Sequence, residues 1–378
     1  MVSSAALLQS YQTIAEQFAV DSSVKGIEPL GNGNINDTFL VTLADSTRFV
    51  LQRINQRVFP EPQALMGNMV QVTEHIARKL ETAPLSRPWR MPSVIKSRAG
   101  EDFWWDQSQQ SCWRAISFIG ETEALETVGN PAQATEVGAA LGIFHRLLSD
   151  LNPESLRDTL PGFHQTPEYL AQYQVITKQT MADESHSLGS EIRWCHEFIA
   201  ERAGWCSVLE TAKAKGELPL RLMHGDPKVN NILFDPQTEQ AVSIIDLDTT
   251  KPGLIHYDIG DCIRSSCNPA GEETQDWQAV EFNLDYCQAF FQGYLPQCQS
   301  FLTPVDYDYL FDALRLIAFE LGLRFFTDFL AGNIYFKTHY PENNLYRALV
   351  QFHLTQCIEA EEAAIGSIIF STEEGLGK

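Results

Sequence analysis

The chain has 378 residues, 44% of them hydrophobic, enough for two lobes that each bury a substantial core. Its 49 acidic residues against 27 basic ones give a formal net charge of -22. That charge repels phosphate backbones and anionic lipid headgroups, so nucleic-acid and membrane partners are not expected. The eight scattered cysteines form no Cys-x-x-Cys pair, which argues against a zinc site or a compact disulfide framework and for reduced thiols in a cytoplasm.

The first eighteen residues have no basic n-region and no long apolar run. They read as an amphipathic helix over 7–19, not as a signal peptide. No segment approaches the roughly 18–20 uninterrupted apolar residues that span a bilayer. From Val24 to Asn55 the texture changes to short strands, GIEPL, TFLVTL and TRFVLQRI, with a polar loop GNGNIND and a turn at Asp45-Ser46. Residues 61–82 return to helical spacing, with Leu65, Met69, Val72, Ile76 and Leu80 on one face. Residues 91–119 read again as strands, including FWW and CWRAISFI. An amphipathic helix over 131–149 follows, with Pro131 near its first turn. Helices are expected at 166–183 and 187–215, two short apolar strands within 221–248, and helices again from 275 onward. The expectation is an α+β, two-lobed fold, with a small β-rich N-lobe at 1–119 and a larger helical C-lobe at 120–378.

The strongest chemical signal is His224-Gly225-Asp226-Pro227-Lys228-Val229-Asn230-Asn231, followed after a short hairpin by Ile245-Asp246-Leu247-Asp248. Phosphoryl transfer asks little covalent chemistry of a protein. It needs a carboxylate beside the acceptor hydroxyl and oxygen ligands that hold Mg²⁺ against the phosphates. Asp226 would take or orient the hydroxyl proton. Asn231 and Asp246 would ligate Mg²⁺, which prefers hard oxygen donors and takes only a few from protein. An isolated Asp-x-x-x-x-Asn is usually a solvated turn. Here its conjunction with two apolar strands and a second Asp, in order and at tight spacing, favours a kinase loop. His224 is read as a scaffold residue pinning that loop.

These motifs resemble the aminoglycoside phosphotransferase-like (phosphotransferase enzyme) family of the protein-kinase-like fold. The resemblance implies a two-lobed kinase fold, ATP as donor, Asp226 as catalytic base, and Mg²⁺ held by Asn231 and Asp246. Within that family, GNGNINDTFLV, FVLQRIN, HGDPKVNNILFD, IDLDTTKPG, HYDIGDCIRSSCN and GLRFFTDFLAGNIYFKTHYPENNLYRA are similar to the N-acetylhexosamine 1-kinases. The matching blocks run from about residue 24 to 360 and imply a sugar acceptor phosphorylated at its anomeric hydroxyl.

The remaining candidates carry two readings each. Gly31-Asn32-Gly33 either lets backbone N–H groups approach phosphates or is an ordinary turn. Asn34 is placed near the sugar by resemblance. FVLQRIN lies where a protein kinase has its phosphate-binding lysine, which makes Arg53 the expected phosphate contact and Glu74, on the next helix, its expected partner. Phe118 sits in the segment joining the lobes, either against adenine or in the core. Asp248 is a second metal ligand, a charge that orients Asp246, or a structural turn. Asp258 and Asp261 either brace the loop by accepting N–H bonds, the expected role, or touch the substrate. Arg324, on an apolar helix face, either pairs with Glu320 one turn earlier or contacts the substrate. Choline, homoserine, a methylthioribose-like sugar or an aminoglycoside stand as other acceptors, and a dead nucleotide-binding scaffold as the reading from another class.

Overall fold

The structure is a computed structural model that describes residues 4–18, 22–31, 35–181 and 189–376. It divides into two compact units: residues 1–122 with 154–161 and 247–251, and residues 123–153, 162–246 and 252–378. The first boundary falls three residues beyond the expected 119/120, and two later segments join the first unit. Within that unit Asn68 explains the recruitment. Its amide donates to the Arg157 and Thr250 carbonyls and its carbonyl accepts the Arg157 N–H at 2.9 Å.

Alternating β-branched and aromatic residues build an antiparallel sheet in the first unit. It is formed by β1 (Val24–Pro29), β2 (Asp37–Leu43), β3 (Arg48–Ile54), β4 (Val94–Ile95), β5 (Trp104–Asp106) and β6 (Ser111–Ser117). The order is β1-β2-β3-β6-β4, with β5 also on β6. Because side chains alternate across a pleat, the two faces have separate fates. Val41, Phe49, Leu51, Trp113 and Ala115 are buried with Ile14, Ala15 and Phe18, which come from helix α1 (Ser4–Ala15) and the turn after it. The opposite face carries the cross-strand row Thr38, Gln52 and Arg114. Helix α2 (Pro62–Thr82) begins on Pro62, whose missing N–H costs nothing in the first turn, and buries Leu65, Met66, Met69, Val72 and Ile76.

The second unit is mainly helical: α3 (Pro131–Leu148), α4 (Thr166–Met181), α5 (Ser190–Arg202), α6 (Val208–Ala214), α7 (Ile255–Ser266), α8 (Leu284–Cys298), α9 (Pro304–Asp308), α10 (Leu310–Leu330), α11 (Asn343–Ala360) and α12 (Glu362–Leu376). Its strands are β7 (Glu123–Ala124), β8 (Arg221–Met223), β9 (Ile232–Phe234) and β10 (Ala241–Ile244), with β11 (Lys251–Gly253) at the unit boundary. Helix α3 is capped by Asn130, whose side chain accepts the Gln133 N–H at 3.0 Å. Among the described residues no helix is long and apolar enough to cross a membrane.

Two helical expectations are corrected. The single helix expected over 187–215 is two, α5 and α6, separated at 203–207, where the Trp205 ring packs on Phe319 and under Arg315. Helix α7 was not expected, helices having been placed only from 275. Its Ile255, Ile259, Cys262 and Ile263 keep helical spacing, and Asp258, Asp261 and Arg264 are buried beside them.

Helices α3 and α8 cross at glycine contacts. A Cβ at Gly293 would lie 1.9 Å from the Thr135 carbonyl oxygen, and one at Gly138 would lie 2.1 Å from that of Phe290. Neither obstacle is a movable side chain. Gly293→Ala is therefore expected to lower unfolding stability by about 1–3 kcal/mol in urea titration, as overpacking does. Gly366→Ala, with open space around its Cβ position, should show no comparable loss.

Candidate active site

Strand β8 is buried at Leu222 and Met223 and delivers His224 into the centre of the second unit. The loop that follows has no strand partner for its first amides, so a side chain must take them. Asp258 on α7 does so: its carboxylate accepts the His224 N–H at 2.6 Å and the Gly225 N–H at 2.7 Å. The same carboxylate accepts His145 Nε2 at 2.9 Å, while His145 Nδ1 lies 2.9 Å from the Tyr294 hydroxyl. Helices α3, α7 and α8 thus converge on one buried carboxylate behind the loop.

His224 acts within the loop. Its Nδ1 accepts the Asp226 N–H at 3.3 Å, so its Nε2 carries the proton donated to the Ile245 carbonyl at 2.9 Å. Burial lowers the imidazole pKa, which keeps this tautomer neutral. The ring joins the Asp226 segment to the strand that ends at Asp246.

Asp226 lies 3.0 Å from Lys228 Nζ. Burial alone would raise its carboxyl pKa, but the Lys228 ammonium, with help from Arg264, outweighs it and holds Asp226 below the usual carboxylate range. Lys228 is raised in turn by the charges of Asp226 and Asp246. Asn231 donates its amide N–H to the Asp226 carbonyl at 2.8 Å. Its amide oxygen has no protein donor among the described residues, so it is available to a cation. Asn231 and Asp246 are also linked through the backbone, since the Ile245 N–H donates to the Asn231 carbonyl at 2.8 Å. Asp246 is exposed and adopts a left-handed φ of 66°, a conformation that a non-glycine residue holds at a cost of order 1 kcal/mol. An amide oxygen and an exposed carboxylate form a hard donor set that fits Mg²⁺ completed by water and phosphate oxygens.

The acceptor candidate Arg324 is half-buried on α10. Its guanidinium carbon lies 4.9 Å from the Tyr169 ring centre, 5.2 Å from Phe163, 5.5 Å from Phe336 and 6.0 Å from Tyr335. Of the two readings, the ion pair with Glu320 does not form. Both Glu320 oxygens are occupied by His164 Nδ1, at 2.8 Å, and the Thr166 hydroxyl, at 2.6 Å. Among the described residues no acceptor takes the N–H groups of Arg324. The ring-bearing loop is itself pinned, because the Asp328 carboxylate accepts the N–H groups of Ile334, Tyr335 and Phe336 at 2.8–3.0 Å.

In the first unit Arg53 pairs with Asp37 rather than with Glu74. The register puts Asp37, Arg53 and Trp113 in one cross-strand row, while Glu74 faces Arg78 along its own helix at 3.8 Å. The buried cation on the other face is Arg114. It donates to Gln52 at 2.7 and 2.9 Å and pairs with Asp248 at 2.5 Å. Asp248 also accepts the Asn36 amide at 2.6 Å. Phe118 lies under the Arg48 guanidinium, 4.5 Å from its carbon. Gly31 is exposed at the loop edge. Gly33 and Asn34 lie outside the described residues. Asp261 holds Arg264 at 2.7 and 2.9 Å and takes no loop amide.

Lys228, Arg114 and His164 were not singled out in the sequence. A cation two residues after Asp226 and a charge inside the apolar CWRAISFI strand were signals for the first two. Nothing local marked His164.

The phosphotransferase enzyme family matches residues 26–297, most of the chain, and the chain belongs to that family. Its fold is shared with an aminoglycoside phosphotransferase from Alicyclobacillus acidocaldarius, at 14% identity, TM-score 0.58 and 96% coverage of both chains. A choline kinase from Cryptosporidium parvum matches at 13% identity and TM-score 0.56, over 97% of this chain and 100% of that one. An ethanolamine kinase from Plasmodium vivax matches at 14% and 0.54, over 98% and 92%. The fold is thus kinase-like α+β, with an antiparallel sheet in its N-terminal part and a helical C-terminal part.

Asp258 makes the bracing role testable. Asp258→Ala removes the acceptor of the buried His224 and Gly225 N–H groups, at about 1–3 kcal/mol. A fall of that size in chemical denaturation, with phosphotransfer lost, is expected. Unchanged stability would show that the loop holds itself.

Proposed function

We propose that this phosphotransferase transfers the γ-phosphoryl group of ATP to the anomeric hydroxyl of an N-acetylhexosamine. The observation that carries the acceptor class is the state of Arg324. Choline, ethanolamine and aminoglycosides are cations, and a ring of aromatic faces is a common receptor for such groups. Here the ring already holds a guanidinium. A second cation would meet its charge, whereas a neutral sugar offers hydroxyl and amide oxygens to its N–H groups and C–H faces to the rings. The sequence blocks shared with N-acetylhexosamine 1-kinases point the same way.

In the proposed reaction Asp226 accepts a hydrogen bond from the anomeric hydroxyl and aligns its oxygen for in-line attack on the γ-phosphorus. An anomeric hydroxyl is more acidic than an ordinary alcohol, so a carboxylate of low basicity suffices. Lys228 keeps Asp226 ionised and places positive charge beside the reacting oxygen. Asn231 and Asp246 would hold Mg²⁺, which supplies charge neutralisation to the phosphates when bound. In the sheet unit, the Gly31–Gly33 loop, Arg53 and Phe118 stand as nucleotide contacts, and Arg114 joins them as the buried cation orienting Asp248.

A coupled ADP-release assay with Mg-ATP against N-acetylhexosamines, choline, ethanolamine and aminoglycosides tests this reading. Turnover is expected on the N-acetylhexosamines, with Asp226→Asn slower by about 10²–10⁴-fold. Arg324→Met should raise the acceptor KM on the order of tenfold with the nucleotide KM unchanged. Turnover confined to a cationic alcohol would sink the sugar assignment. The Asp226 carboxyl is depressed, so its working form is present at ordinary pH and is lost only as pH falls through the depressed value. Lys228→Met removes the depressing charge and leaves burial to raise the pKa. The acid limb of kcat/KM is then expected to move toward neutral pH, which a rate profile measures.

A further inference from the structure

His164 lies outside every motif, yet it bridges the catalytic loop and the acceptor helix. Its Nε2 is 2.9 Å from the Gly225 carbonyl oxygen and its Nδ1 is 2.8 Å from Glu320 Oε1. A carbonyl oxygen can only accept, and so can an ionised carboxylate. A neutral imidazole has a single N–H and can satisfy only one of them. Both contacts are made together only if the ring carries two protons, or if Glu320 carries one. Glu320 has a second partner: its other oxygen accepts the Thr166 hydroxyl at 2.6 Å, an arrangement that suits an anion. The ring is locked by Phe163, with centroids 4.1 Å apart, and lies parallel to Tyr257 at 5.3 Å. Its backbone holds a left-handed φ of 62°, so local strain is tolerated to deliver the side chain here.

We propose that His164 is a positioning residue held as an imidazolium, which ties the Gly225 carbonyl, one residue before Asp226, to Glu320 on the helix that carries Arg324. The proposal rests on the reading of Asp226 as the catalytic carboxylate, because its effect on rate passes through the loop. From α10 the ring meets Glu320, with Arg324 one turn further on. From α7 it meets Tyr257, with the Asp261 charge beyond it, and α4 contributes Thr166 and Tyr169. Burial disfavours the imidazolium, but the charge and hydrogen bond of Glu320, the Gly225 carbonyl and Asp261 more than offset it, and the pKa is raised. The brace is therefore whole below the ordinary imidazole range and is lost as pH rises through the raised value. Glu320 is lowered against its own burial by His164 and Arg324, which agrees with a charged pair.

The direct test is a long-range ¹H–¹⁵N spectrum of protein labelled on histidine nitrogen, with His164 assigned by its disappearance in His164→Gln. Both ring nitrogens are expected at imidazolium positions at pH 7.5, where a free histidine is neutral. Glu320→Gln is expected to shift that titration to lower pH. A neutral tautomer at pH 7.5, or a titration indifferent to Glu320→Gln, would overturn the proposal whether or not an acceptor is known. The kinetic test separates positioning from packing. Glutamine keeps N–H donors without a titrating charge, whereas phenylalanine fills the space without either. His164→Phe is expected to lower kcat on the order of a hundredfold with the nucleotide KM within about twofold. His164→Gln should recover most of that loss and abolish the alkaline limb of the kcat profile. Full kcat in His164→Phe, with a melting temperature near wild type, would reduce His164 to a packing residue.

Discussion

A single buried carboxylate, Asp258, organises the second unit. An anion inside a protein is tolerated only when its lone pairs are filled, and this one is filled by the backbone N–H groups of His224 and Gly225 and by His145. Carboxylate and loop support each other, because the two loop N–H groups fill the lone pairs of Asp258. Because Asp258 stands on α7, His145 on α3 and its partner Tyr294 on α8, the packing of three helices sets where Asp226 stands. The glycine contacts at the α3–α8 crossing belong to the same constraint, since they fix how closely the backbones behind the loop approach.

A second layer acts on the loop from the α10 side. Asp258 takes the Gly225 N–H, and His164 addresses the carbonyl of the same residue. The peptide groups on both sides of Gly225 are thereby held at donor and acceptor, leaving little freedom to the residue that precedes Asp226. Glu320 links this to Arg324 one helical turn away, so the loop and the proposed acceptor contact share a support. Arg324 is half-buried among aromatic faces, and among the described residues no acceptor takes its N–H groups.

The sheet unit shows how one register decides which charge serves which face. Arg53 and Gln52 are neighbours in sequence but point to opposite sides of β3. Arg53 is drawn to Asp37 in its own cross-strand row and lies at the edge of the face that α1 covers. Gln52 instead accepts from Arg114, which holds Asp248 two residues after Asp246. A single-residue difference in position therefore moves the buried cation from β3 to β6.

Much of this was legible in the sequence because it is local. Strand alternation at 24–54, the apolar stripe of α2, Pro131 at the start of α3 and the His-Gly-Asp, Asn and Ile-Asp spacing each depend on near neighbours along the chain. They gave the element types, the kinase-like class and the loop carrying Asp226, Asn231 and Asp246. Helix α7 keeps the local apolar spacing Ile255, Ile259, Cys262 and Ile263; what the sequence does not show is that its Asp258 takes the His224 and Gly225 N–H groups. The break between α5 and α6 contains Gly204, a local breaker, and places Trp205 on Phe319. Tertiary structure alone decided which side chain pairs with which: Arg53 with Asp37, Glu320 with His164, and Arg114 with Asp248. Spacing along a chain fixes which residues share a loop or a face, but ion pairs and buried hydrogen bonds are settled by whichever partners the packed chain brings within about 3 Å.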